Sequence, residues 1–216
     1  MSLSRSNCLR ALQESVAQAG TNAMVKSLVS TIRRSMCSVS QNCCAHAARA
    51  SSPPARVTSS VLALDALSTC TTLKAAAASA ARFVRSTLWR PASKTLLRRY
   101  RDGQAEIEAY AEDYAYLIFG LLELFRADPR AEWLEWAIEL QHRQDELFWD
   151  HEHGGWFSTT GQDPTVLLRM KEEYDGAEPS ASSVSVMNLT LLSHLHEHPD
   201  WTTKIERTLR LFAPRL

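Results

Sequence analysis

Apolar residues recur at three- and four-residue steps over Ile107–Phe125, where Tyr110, Tyr114, Leu117 and Leu121 fall on one face. This spacing predicts an amphipathic α-helix. Four further segments carry the same period or a helix-forming composition, and they predict four more helices. These segments are Leu73–Leu88, Trp133–Leu147, Pro179–His196 and Thr202–Phe212.

Prolines separate the predicted helices. Pro91 ends the first one, because proline lacks a backbone N–H and disfavours a helical conformation in the residue before it. Asp128-Pro129 divides the second helix from the third within a few residues, so these two are expected to pair antiparallel. Pro199-Asp200 divides the last two. The chain therefore reads as helical hairpins joined by polar connections.

Two of these polar connections share an order: a Leu pair, cations, a Tyr, then Asp-Gly before a helix. The first runs through Asp102-Gly103 and the second through Asp175-Gly176, 73 residues later. Two apolar pairs that end in Trp precede them, Leu88-Trp89 and Phe148-Trp149. These pairs lie 60 residues apart, so the second copy carries a 13-residue insertion. Such repetition is typical of stacked or toroidal helical hairpins. An ordinary helical bundle with chance similarity between the loops is the alternative.

The insertion contains Gly154-Gly155-Trp156-Phe157. Two glycines end the preceding helix, and Trp156-Phe157 with Val166–Leu168 predicts a short two-stranded ribbon. The fold class predicted from these patterns is all-α, with hairpins of helices and short β-ribbon loops.

The formal net charge of zero conceals a split between the two halves of the chain. Residues 1–100 hold 14 Lys and Arg against two acids, whereas residues 101–216 hold 10 against 22. Such asymmetry indicates two different roles or origins. The acidic half is interpreted as solvated helix faces, with an acidic binding surface as the alternative.

The N-terminal segment, residues 1–65, differs from the rest in composition. It is rich in Ser and Arg, with Glu14 and Asp65 as its only acids, and Ser51–Ser60 resembles a linker. A mitochondrial transit peptide has this character, and a disordered or non-native start is the alternative. All cysteines precede the patterned region, and none forms Cys-x-x-Cys, so reduced thiols of an intracellular protein are expected. They are Cys8, Cys37, Cys43, Cys44 and Cys70.

Three motifs together resemble the spermatogenesis-associated protein 20 family: Glu112–Ile118, Gly154–Phe157, and Arg169-x-Lys171 followed by Asp175–Ser180. The resemblance covers about residues 72–215. It implies that residues 66–216 are a fragment of a six-hairpin glycosidase-like (α/α) toroid, so that only about three of six hairpins are present. That family is thioredoxin-fused, and the thioredoxin domain with its cysteine motif is absent from this sequence. Ser182 also stands where the family favours Asn.

The resemblance further implies a carbohydrate-binding or carbohydrate-processing domain that is not active alone. The alternatives are a non-catalytic structural or interaction domain, and a truncated product without activity. A partial toroid leaves apolar helix faces uncovered, so a protein partner covering them is expected alongside a carbohydrate ligand.

Four carboxylates are the candidate catalytic residues, because paired carboxyl groups perform glycosidic acid/base chemistry when about 5–9.5 Å apart. Asp175 and Glu178 precede a predicted helix, where capping the helix is the alternative role. Asp113 borders an apolar stripe, where a structural hydrogen bond is the alternative. The full catalytic set is Asp175, Glu178, Asp113 and Glu112.

Five residues are candidates for substrate binding. Trp156 is either a platform for a sugar ring or a core residue. Arg169 and Lys171 are predicted to share a face, and to pair with Asp175 or Glu178 or contact an anionic ligand. Tyr114 and Ser180 complete the set by their positions beside the carboxylates.

Neither a metal nor a cofactor is expected. Two pairs of histidines could suggest a metal site, but no third or fourth ligand is evident. The pairs are His151 with His153, and His194 with His198. No apolar run reaches the roughly 18 residues of a membrane span. Nucleic-acid motifs are missing from residues 66–216, so neither a membrane nor a nucleic acid is predicted as a partner.

Overall fold

The computed structural model describes residues 74–162, 164, 166–172, 174–175 and 178–213. The predictions made for residues 1–65, for the five cysteines and for Gly176 lie outside these residues.

Five helices account for most of the described chain, so the mostly helical prediction is confirmed. Each agrees with a predicted segment to within a few residues. They are α1 (74–87), α2 (Ala111–Ala127), α3 (Ala131–Phe148), α4 (Ala181–Leu195) and α5 (Trp201–Phe212). Among the described helices none is both long and apolar enough to cross a membrane.

The first connection, residues 88–110 between α1 and α2, is a small antiparallel sheet rather than a polar loop. Its strands are β1 (Trp89–Arg90), β2 (Thr95–Arg101) and β3 (Gln104–Glu108), in the order β1-β2-β3. Asp102 and Gly103 both have positive φ, 52° and 79°, which is the conformation of a two-residue hairpin turn. The polar loop predicted here is thus a hairpin, because the Asp-Gly turn pairs β2 with β3.

This sheet also explains why α2 begins later than predicted. Ile107 fits the apolar period of the helix, but it lies in β3 with φ of 63°, which is unusual for a β-branched residue. Tyr110 is the N-cap of α2 in an extended conformation. The helix therefore begins at Ala111.

The second connection, residues 149–180 between α3 and α4, does not contain the predicted ribbon. Trp156 forms an isolated bridge with Trp149, whereas Val166–Leu168 is irregular, with Leu167 and Leu168 exposed. The backbone N–H of Ser158 does donate to the carbonyl of Met170, at 2.8 Å. The two arms are thus joined, without forming strands.

The core surrounds α2, which is buried on nearly every side from Asp113 to Leu124. Helices α3 and α4 pack against it, and α5 packs on α4. Large aromatic side chains fill the space between them, as a helix buried all round requires. The largest fully buried ones are Trp133, Trp136, Trp156, Trp201, Tyr114 and Phe148.

Buried amides set the order of the three central helices. The Nε2 of Gln144 donates to the carbonyl of Ala111 at the start of α2 and to Oγ of Ser185 in α4. Nδ2 of Asn188 donates to the carbonyl of Ala115, at 2.8 Å. Helices α2 and α4 therefore run side by side in one direction, and the end of α3 lies between their beginnings.

Candidate functional site

The N-terminal ends of α2 and α4 lie together at one end of the molecule. The hydroxyl of Tyr116, in the second turn of α2, donates to the carbonyl of Pro179 just before α4, at 2.9 Å. Candidate carboxylates from both motifs thus meet at this end, where the helix dipoles favour negative charge. Below, this end is called the carboxylate face, defined by Glu112, Asp113, Asp175, Glu178 and Ser180.

Glu112 and Asp113 are joined by Arg98 from β2. The guanidinium lies 3.4 Å from Oε1 of Glu112 and 3.6 Å from Oδ2 of Asp113. It also stacks on the ring of Tyr110, 4.2 Å from the centroid. Asp113 is buried and accepts the backbone N–H of Tyr110 at 2.9 Å, which caps α2. Glu112 is partly exposed, so it is the member of this pair that solvent reaches.

Tyr114 lies beneath this pair and is fully buried. Its hydroxyl oxygen accepts the backbone N–H of Leu96, which ties β2 to α2. Burial raises the pKa of Tyr114 to about 12, so the phenol remains protonated.

Asp175 begins α4 from the other side of the carboxylate face. Its Oδ1 accepts the N–H of Ser180 at 2.7 Å, and its Oδ2 accepts the hydroxyl of Ser183 at 2.9 Å. The hydrogen bond from the Ser180 N–H, with those from the serine hydroxyls, lowers the pKa of Asp175 despite partial burial. Asp175 thus makes a helix-entry hydrogen bond of the kind given above as the alternative to a catalytic role. Glu178 is exposed beside it.

Ser180 is the N-cap of α4, and its Oγ accepts the N–H of Ser183 at 3.2 Å. Ser182, the residue at the position of the family's Asn, is buried two residues later. Its hydroxyl finds no hydrogen-bond partner among the described residues. Ser182 therefore contributes packing to the start of α4 rather than an exposed polar group.

Arg169 and Lys171 share a face, as predicted, although no strand holds them. Both cations lie over the ring of Phe157, at 4.2 Å and 4.9 Å from its centroid. The neighbouring Leu168 and Met170 are exposed, so side chains alternate inward and outward along this arm. An extended backbone is enough to produce this alternation.

Their partners differ from those predicted. Nζ of Lys171 lies 2.6 Å from Oδ2 of Asp150 and donates to the carbonyl of Gly154 at 2.7 Å. Arg169 donates to the carbonyls of Thr159 and Leu147. The pairing of Lys171 with Asp175 or Glu178 is therefore wrong, because the sequence motif does not show which distant acid the fold brings to it.

Asp150 is a strongly perturbed acid of the second connection. Burial opposes its ionisation, but the bond from Lys171 and the backbone N–H groups of Glu152 and His153 hold its pKa far below the ordinary value. It is thus a charged, nearly buried anchor for this loop. The only sequence signal that pointed to Asp150 was its position directly after Phe148-Trp149, where the helix ends.

Trp156 lies inside the molecule, with 1% of its surface exposed. Its indole N–H donates to Oδ1 of Asp145 at 2.9 Å, and its ring packs edge-on against Trp149 at 4.9 Å. The structure does not present this ring as a surface platform. Asp145 in turn pairs with Nζ of Lys204 on α5, at 2.6 Å.

The histidines singled out from the sequence make separate contacts. His198 stacks on Trp201 at 4.8 Å, while His194 contacts the carbonyl of Thr190 in its own helix. His151 and His153 are exposed. Across the described part of the chain, no three His, Cys, Asp or Glu side chains are grouped to hold a metal ion.

Comparison with known proteins confirms the resemblance to spermatogenesis-associated protein 20. The rat protein of that name is 47% identical over 108 residues, which is 50% of this chain and 14% of the rat protein. The human protein is 45% identical over the same extent. The chain thus spans 14% of the length of these curated relatives. None of the protein-family models with which the sequence was compared matches it.

Among solved structures, cellobiose 2-epimerase from Spirochaeta thermophila has a similar fold. The alignment covers 66% of this chain and 37% of the epimerase, with a TM-score of 0.51 and 17% sequence identity. At this identity the likeness is one of fold, and it agrees with the helical hairpins described above.

Proposed function

We propose that residues 66–216 form part of a six-hairpin glycosidase-like (α/α) toroid that binds a carbohydrate at the carboxylate face. The observation that carries this proposal is the side-by-side arrangement of α2 and α4, with acidic residues in the first turn of α2 and just before α4 at the same end. A toroid places the beginnings of its inner helices around one mouth. The fold likeness to an epimerase of cellobiose supports a sugar as the ligand.

The geometry divides the candidate residues into two groups. Glu112, Asp175 and Glu178 are partly or fully exposed, so they are the proposed partners of sugar hydroxyls. Asp113, Tyr114 and Trp156 are buried and would position the site without contacting substrate. Any acid/base chemistry would therefore fall to Glu112 with Asp175 or Glu178.

An open helix face supports the partial toroid. Met187, Leu191 and Leu195 recur every four residues along α4, and the first and last are 43% and 49% exposed. In a complete toroid the next inner helix would cover this stripe. A protein partner, or the rest of a longer protein, is the proposed cover.

The proposal is tested with cellobiose as probe, by thermal unfolding and calorimetric titration. Cellobiose should raise the melting temperature, and Glu112→Gln should weaken its binding about tenfold because a charge-assisted hydrogen bond is lost. Glu135→Gln, an exposed acid on α3, is the control and should bind as the unchanged chain does. The absence of any effect from a panel of neutral and acidic sugars would contradict the proposal.

A non-catalytic structural or interaction domain is the second candidate. It is favoured because Asp113, Asp175, Arg169 and Lys171 each already stabilise a helix start or the second connection. Under this hypothesis Asp175→Ala lowers the free energy of unfolding and changes no ligand affinity. Loss of sugar binding in Glu112→Gln at unchanged stability would contradict it.

A further inference from the structure

The guanidinium of Arg169 is held in a fixed, partly buried position. Nε and Nη2 both donate to the carbonyl of Thr159, at 3.0 and 2.8 Å, and Nη2 also donates to the carbonyl of Leu147 at 3.2 Å. The ring of Phe157 lies against it. Its orientation is therefore fixed before any ligand arrives.

This cation lacks a compensating carboxylate among the residues that the structure describes. The nearby Asp150 is already bonded to Lys171 at 2.6 Å, so the Arg–Lys–Asp group keeps one net positive charge. Burial lowers the pKa of Arg169, and Asp150 only partly opposes this. A partly buried charge held by carbonyls alone is costly unless an anion joins it.

The hydroxyl of Thr159, a residue that contacts Arg169, is a second polar group without a hydrogen-bond partner among the described residues. This hydroxyl is buried. Thr159 is the same residue whose carbonyl holds the guanidinium. The hydroxyl of Thr159 and the guanidinium of Arg169, which lacks a counter-charge, thus belong to two residues in direct contact.

Gly161 leaves room for this arrangement. A Cβ atom at this position would lie 2.6 Å from Cδ and 2.9 Å from Nε of Arg169, and the backbone there has φ of 75°. The loop can close over the arginine only because this residue has no side chain.

We propose that Arg169 and Thr159 form a subsite for the carboxylate of an acidic sugar, with Phe157 fixing the guanidinium. The identity of the ligand as a sugar rests on the proposed function, whereas the need for an anion rests on the geometry alone. Nε and Nη2 already donate to carbonyls, so the carboxylate would accept a charge-assisted hydrogen bond from Nη1, which makes no hydrogen bond to the described residues. The Thr159 hydroxyl adds one further donor.

The experiment is a calorimetric titration of the whole chain with D-glucuronate, D-glucose and acetate. Glucuronate should bind at least about tenfold more tightly than glucose, because only glucuronate carries the carboxylate. Arg169→Gln should abolish that preference, and Arg169→Lys should retain part of it. Equal binding of glucose and glucuronate would overturn the subsite while leaving a sugar-binding function intact.

Two variants separate ligand binding from folding. Arg207→Gln is the matched control, since Arg207 also donates to two loop carbonyls, those of His151 and Glu152, and lies over Trp149. It should lower stability without changing the preference for glucuronate. Thr159→Val removes the unused hydroxyl at nearly constant volume, so stability should be unchanged or higher while glucuronate binding weakens several-fold.

The remaining outcomes are also decisive. Acetate binding that depends on Arg169, without any response to sugars, supports the carboxylate subsite and contradicts the carbohydrate function. No binding of any of the three probes, or unchanged glucuronate affinity in Thr159→Val, overturns the subsite. Binding that appears only after Asp163→Asn and Glu173→Gln also overturns it, because a carboxylate of the chain itself would then be the occupant.

Discussion

The two connections begin from a similar order of residues and reach different structures. In the first connection, backbone hydrogen bonds pair β2 with β3, and exposed ion pairs such as Arg99–Glu106 lie on the surface of this hairpin. In the second connection, side chains hold the loop instead: Lys171 forms an ion pair with Asp150, and Arg169 donates hydrogen bonds to two backbone carbonyls. Similar composition therefore does not fix the backbone. A loop held by a few buried side chains should be far more sensitive to single changes than a hairpin.

The largest expected effect comes from breaking the buried ion pair of the second connection. Asp150→Ala leaves Lys171 nearly buried without its counter-charge, so the free energy of unfolding should fall by about 3 kcal/mol. The matched change in the first connection, Arg99→Ala, should cost less than about 1 kcal/mol because both partners are half exposed. Urea unfolding of both variants measures the difference. Equal losses would remove the contrast between the connections.

Acid should loosen the second connection first. The folded-state pKa values of Asp150 and Asp175 lie below the unfolded value near 4, so their stabilisation is complete above about pH 5. It is lost as pH falls through the lower folded-state values. Melting temperatures between pH 6 and pH 2 test this. Asp150→Asn should flatten the curve, and an unchanged slope in that variant would be evidence against the assignment.

A pair of glycines offers a third contrast. Gly103 and Gly161 have nearly the same φ, 79° and 75°, so an alanine at either costs about 1–2 kcal/mol of backbone strain. Nothing lies within 4 Å of a Cβ at Gly103, whereas at Gly161 the side chain of Arg169 must move. Gly161→Ala should therefore be the more destabilising, by roughly a further 1 kcal/mol. Thermal unfolding of the two variants decides the matter, and the reverse order would show that Arg169 is loosely held.

The smallest expected effect concerns the two Asp-Gly motifs. Asp175→Ala removes the acceptor for the Ser180 N–H and should cost about 1 kcal/mol. Asp102→Asn should be close to neutral, because asparagine tolerates the left-handed conformation of this turn. Circular dichroism during urea unfolding resolves a difference of this size. A neutral Asp175→Ala would mean that Ser180 alone caps α4.

The sequence predicted the elements whose signals are local. The stripe of Trp133, Trp136 and Leu140 marks α3, and all three are buried. The cap at α4 follows from residues five apart, Asp175 and Ser180. Short-range patterns of this kind need no knowledge of the rest of the fold.

The missed features depend on distant contacts. Ile107 continues the apolar period of α2, yet pairing with β2 draws its strand away from the helix. The partners Asp150–Lys171 and Asp145–Lys204 are 21 and 59 residues apart, and many other acids would suit either lysine equally well. Only the assembled helices select among them, so the sequence named Arg169 as a contact of an anionic ligand without showing that Thr159 holds its guanidinium or that Lys171 pairs with Asp150.

Gln144 has a consequence for how the molecule opens. One amide joins α3 to α2 and α4, so releasing any of these three helices leaves a buried donor unsatisfied. Their backbone amides should then exchange with solvent deuterium together, at the rate of global unfolding. Helix α5 is held by Trp201, the Lys204–Asp145 pair and the hydrogen bonds of Arg207 to the second connection, none of which involves Gln144, so it can detach alone and exchange faster. The protein would thus have two cooperative units within one helical layer.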